Sequence, residues 1–156
     1  MKLVDFLRAA LVSPELFAAL AAAFLTQVFR QDVATLAPKL ASVDVGVALT
    51  LLGLPLGLIG GTFALGNKVL HPPAGRDILL EWQQYWRLKL RVWLAVAFSV
   101  CGAAAFWIGL YLVWRSHPVS GATVGLAGLA AALTALGTIA VASFTVREAL
   151  DHPSNR

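Results

Sequence analysis

Charge is scarce in this chain: only 13% of its 156 residues are Asp, Glu, Lys or Arg, against roughly 25% in a soluble domain. That scarcity excludes an ordinary water-facing surface. The single cysteine, Cys101, excludes an intrachain disulfide, and inside an apolar run it behaves as a small hydrophobe. Catalytic groupings are missing as well. There is no Ser/His/Asp arrangement, no pair of carboxylates within the apolar runs and no Gly-rich phosphate loop preceded by a strand. His71, His117 and His152 each precede a proline and lie outside the apolar runs, which assigns them to turns or extended joints. They cannot ligate a haem within a bilayer, and their spacing is not that of a metal cluster. The chain therefore reads as non-catalytic, with no cofactor and no metal.

What is present is apolar sequence, with a mean hydropathy of +0.78. A membrane-spanning helix needs roughly 20 apolar residues, and four stretches qualify: 11–29, 43–66, 92–114 and 122–146. The first is the weakest, because Ser13, Pro14 and Glu15 lie in its opening turns. Lys2 and the run Ala21-Ala22-Ala23 imitate a signal peptide, but Arg8, Pro14 and Glu15 break the apolar run, so an uncleaved first span is expected. Short polar joints with Pro38, Pro72-Pro73-Ala74-Gly75 and Pro118 separate the spans and stop the helices. The expected fold is all-α: residues 1–156 form one integral membrane bundle of four transmembrane helices.

The distribution of bases gives an orientation. Lys2, Arg8, Lys68, Arg76, Arg87, Lys89, Arg91, Arg147 and Arg156 fall on one side of a four-span chain, and only Arg30, Lys39 and Arg115 on the other. The positive-inside rule then puts both termini in the cytoplasm, as in an inner-membrane protein. Leaving the first segment outside moves Lys2 and Arg8 to the other side and weakens the asymmetry. The net charge of +4 sits beside apolar spans and not in a patch, so anionic lipid headgroups, and not nucleic acid, are the expected partners.

Residues 77–91 run without Gly or Pro into the third span, which predicts a cytoplasmic amphipathic helix continuous with it. Asp77 suits its N-cap. A helix from Ile78 to Trp114 would be about 55 Å long, with roughly 25 Å beyond the hydrocarbon. At about 100° per residue, Trp82, Trp86 and Trp93 share a seam with Leu79 and Leu90 beside it, while Gln83, Gln84, Arg87 and Arg91 gather on another face. Trp93, Trp107, Tyr111 and Trp114 suit an aromatic belt or packing. Trp82, about 16 Å along the axis from Trp93, suits a docking seam against the chain's own termini or a neighbouring subunit. Leu79, Trp82, Trp86, Leu90, Trp93, Arg87 and Arg91 are the candidate docking residues.

Small residues form two further faces. Gly46, Thr50, Gly53, Gly57, Gly60 and Gly61 lie within about 100° of one another on the second span, opposite Pro55. Gly121, Gly125, Gly128, Ala132 and Ala135 align on the fourth. Such faces let backbones approach closely, and this packing drives helix association in lipid. They fit either packing of the second span on the fourth within one bundle, or self-association.

Ionisable residues are absent from the interiors of the second, third and fourth spans, which disfavours proton- or ion-coupled transport. Glu15 is the acidic candidate, expected to be solvated or paired with Arg8. Asp44 suits a helix start. Together these features indicate an accessory or scaffold subunit of a membrane assembly, partnered by other membrane subunits or by itself. The alternatives are a homo-oligomeric pore or membrane-permeabilising effector, with Thr50 and Thr62 on a narrow path, and a facilitator of a neutral solute.

Overall fold

A computed structural model describes residues 13–41, 45–71 and 85–151. All the regular structure among them is helical: α1 Pro14–Val28, α2 Arg30–Ala41, α3 Val45–Leu70, α4 Tyr85–Trp114 and α5 Pro118–Asp151. The last three are long and apolar enough to cross a membrane. Their 26, 30 and 34 residues correspond to about 39, 45 and 51 Å.

The first apolar stretch is shorter than expected. α1 has 15 residues, about 22 Å, because Ser13-Pro14-Glu15 starts the helix instead of interrupting it. Ser13 is the N-cap, its Oγ accepting the Leu16 amide at 3.2 Å. Pro14 occupies the first turn, where its missing N–H costs nothing. The helix stops at Phe29, and a second begins at once. The joint expected over Arg30–Ser42 is therefore a correction, since Arg30–Ala41 is helical through Pro38. Asp32 in its first turn and Lys39 in its last complement the helix dipole.

α5 is the central element, packed against each of the other four helices. α1 runs antiparallel to it. Glu15 meets Thr138 at one end, and at the other Thr26 and Gln27 meet Thr123, Thr26 Oγ1 standing 3.1 Å and Gln27 Nε2 3.3 Å from its hydroxyl. α3 joins the same bundle through two polar contacts with α4. Thr62 Oγ1 lies 3.4 Å from Ser99 Oγ, and Trp107 Nε1 donates to the Leu52 carbonyl at 3.3 Å. The second contact lies within one turn of Pro55, which leaves α3 one amide short; a neighbouring helix that offers a donor there is how spanning helices tolerate proline. Trp107 thus serves helix packing and not only a belt. Val69, Val92, Ala95, Ala135 and Ile139 form the buried apolar core where α3, α4 and α5 meet.

α4 and α5 are joined by a tight turn at Arg115-Ser116-His117. His117 N–H bonds to Leu112 O at 2.9 Å and Ser116 N–H to Val113 O at 3.2 Å, the paired bonds of a Schellman cap. Ser116 takes φ 68° there, a left-handed conformation usually given to Gly. Pro118 then opens α5.

Candidate functional site

The small-residue face of α5 is used inside the chain, but its partner is α4 and not α3. A Cβ at Gly128 would stand 2.4 Å from the Gly102 carbonyl, and one at Gly109 would stand 2.5 Å from the Gly121 carbonyl. Backbone lies directly on backbone at both points. Gly125 is looser, its nearest neighbour 3.7 Å from a Cβ, and Ala132 and Ala135 are buried in the same seam. Sequence reading missed Gly102 and Gly109, although their seven-residue spacing puts them two turns apart on one helix face.

The small-residue face of α3 is divided. Gly61 faces α5, with Leu136 Cδ1 3.3 Å from a Cβ built on it. Around a Cβ at Gly53, Gly57 or Gly60 there is nothing within 4 Å among the described residues, and Ala64 continues this exposed ridge. Thr50 is exposed, and Gly46 lies in the first turn of α3, its surroundings outside the described residues. The face that packs inward is the opposite one, carrying Pro55, Thr62, Gly66 and Val69. Thr62 is fully buried and its hydroxyl donates to the Leu58 carbonyl at 2.7 Å.

Leu79 and Trp82 of the docking seam lie outside the described residues, as does the helix start expected at Asp77. Trp86 and Trp93 are both exposed, Arg87 is exposed and Leu90 half-buried. Arg91, on the same face one turn on from Arg87, is half-buried. Its Nη2 donates to Glu15 Oε1 at 3.4 Å and to Oε2 at 3.5 Å.

This corrects the expectation of a solvated Glu15, which is 1% exposed and paired to Arg91, 76 positions away. Arg8 lies outside the described residues. The antiparallel contact of α1 with α5 brings the first turn of α1 within reach of Arg91, which follows Glu15 in the chain by three helices. Thr138 Oγ1 is 2.9 Å from Glu15 Oε1 and 2.9 Å from the Ala135 carbonyl. Its one proton serves either acceptor. The N-terminal end of α1 adds favourable dipole for the carboxylate. A helix N-terminus, an arginine and a hydroxyl thus converge on one buried acid. The signal in the sequence was Ser-Pro-Glu, a helix-start pattern that puts Glu15 in the first turn. Nothing local pointed to Arg91.

No family model, curated protein or solved structure matches this chain. The site's own geometry therefore carries the functional reading.

Proposed function

We propose that this chain is a non-catalytic accessory or scaffold subunit of a membrane assembly, docking other subunits or a second copy through the outward ridge of α3 and the Trp-bearing segment leading into α4. The observation that carries the reading is the open ridge Gly53, Gly57 and Gly60, with nothing among the described residues within 4 Å of a Cβ at any of them. In hydrocarbon there is little hydrophobic gain from helix pairing, so association relies on close backbone approach over small residues. Gly102 and Gly109 of α4 and Gly121 and Gly128 of α5 are consumed by each other. Among the described residues, nothing occupies Gly53, Gly57 and Gly60 of α3, which leaves them to a helix from outside.

In this reading the bundle crosses the inner membrane four times with both termini and the start of α4 in the cytoplasm. The base distribution supports that orientation. The antiparallel run of α1 along α5 supports a first crossing, shorter than the other three, and short spans are accommodated by local bilayer thinning. The pore alternative draws no support from Thr62, whose hydroxyl is taken up within the bundle.

Blue-native electrophoresis of gently solubilised membranes, with crosslinking, tests the proposal. Wild-type chain is expected in a larger species, and Gly57→Leu is expected to release it while its thermal unfolding is unchanged. A lone small species for wild type, or unchanged assembly for Gly57→Leu, overturns it.

A further inference from the structure

We infer that the groove between Arg91 and the outer face of α5 is a binding site for one anionic phospholipid, its phosphate on Arg91 and one acyl chain along α5. The inference needs only the membrane insertion of α4 and α5 and stands apart from the subunit reading.

The groove is open to the surface, has a volume of about 480 Å³ and is lined by Arg91, Thr134, Gly137, Thr138, Val141 and Ala142. Its two ends differ chemically. Along α5 it is an apolar trough about 12 Å long, from Thr134 to Ala142. The Thr134 hydroxyl is turned to the Ala130 carbonyl at 2.8 Å, and that of Thr138 to Glu15 and Ala135, so neither is left to a ligand. Gly137 keeps the trough open, with nothing among the described residues within 4 Å of a Cβ built there.

At the other end stands a cation with capacity to spare. Arg91 uses a single nitrogen, Nη2, at 3.4 and 3.5 Å from the Glu15 oxygens. This is side-on contact and not the two-nitrogen fork of a strong arginine–carboxylate pair. Nε and Nη1 have no hydrogen-bond partner among the described residues, and 36% of the side chain is exposed. Glu15 fixes the guanidinium without saturating it. Arg87, one turn earlier on α4 and exposed, adds a second positive charge on the same face. Arg91 is also the last charged residue before the apolar run Val92–Trp114, the depth at which headgroup phosphates meet acyl chains.

An arginine beside an apolar trough at that depth, with a second exposed arginine one turn away, is complementary to a molecule with an anionic head and a hydrocarbon tail. A second copy of α3 or α5 would bring apolar residues to Arg91 and strand its donors.

Native mass spectrometry of the full chain, released from nanodiscs containing equal phosphatidylglycerol and phosphatidylcholine, tests the site. Wild type is expected to retain phosphatidylglycerol about fivefold or more over phosphatidylcholine, the factor that one surface arginine supplies. Gly137→Leu fills the trough without touching the ion pair and is expected to reduce retention severalfold. Arg91→Gln alone strands Glu15 and risks unfolding, so the double variant Glu15→Gln/Arg91→Gln, which keeps a neutral hydrogen-bonded cluster, is the second arm and is expected to lose the preference. Equal retention of the two lipids by wild type, or unchanged retention in Gly137→Leu or in the double variant, overturns the inference.

Discussion

Glu15 and Arg91 meet at 3.4 Å although 76 positions separate them, one 1% exposed and the other 36%. The pair is unequal, and mutation should reveal it. Arg91→Ala leaves a carboxylate buried with only Thr138, the expensive way to break an ion pair, and should cost about 3 kcal/mol. Glu15→Gln leaves an arginine long enough to snorkel to headgroups, together with an amide that still bonds to Thr138, and should cost about 1 kcal/mol. Thermal unfolding in one detergent measures both, and equal losses would remove Arg91 as the necessary partner.

The α4–α5 seam predicts opposite outcomes for two similar substitutions. Gly102→Ala drives a methyl toward the Gly128 carbonyl, 2.4 Å from the built Cβ, and should destabilise by about 1–3 kcal/mol through overpacking. Gly125→Ala meets only ordinary contact, 3.7 Å at the nearest, and should be neutral or slightly stabilising, since Ala is the better helix former. Chemical unfolding in mixed micelles would separate them.

Ser116 holds φ 68° in the cap between α4 and α5, a conformation that costs a residue with a side chain about 1 kcal/mol relative to Gly. Ser116→Gly should therefore raise the unfolding temperature. A lowered temperature would mean that the serine makes up the cost through contacts of its own.

Trp107 lends its indole N–H to the Leu52 carbonyl near Pro55. Trp107→Phe keeps most of the ring packing and removes the donor, so it should cost about 1 kcal/mol. Amide exchange should then rise in α3 around residues 51–56 and not at its far end near Leu70. A uniform rise would show that the whole helix had loosened.

Replacing Trp82 and Trp86 with alanine should loosen assembly in blue-native electrophoresis while membrane insertion, read by alkaline extraction, is preserved. Unchanged assembly would reduce the seam to an interfacial anchor.

The sequence by itself determined the apolar, all-helical class and the three long helices, because hydrocarbon thickness is a local constraint, but α3 and α5 run on to Leu70 and Asp151, past the expected ends at 66 and 146. It also marked α5's small residues as a packing face. The start of α1 and the helicity of Arg30–Ala41 were legible in their cap and dipole residues, but proline and charge suggested breaks there instead.

Only the tertiary structure decided which faces meet. Gly128 found Gly102, the α3 ridge of Gly53, Gly57 and Gly60 turned outward, and Glu15 found Arg91. In water an apolar stripe tells a helix which side to bury. A helix that is apolar all round carries no such instruction in lipid, so its rotation and depth are set by the fit of small residues and a few polar pairs across neighbours, and these depend on every helix at once.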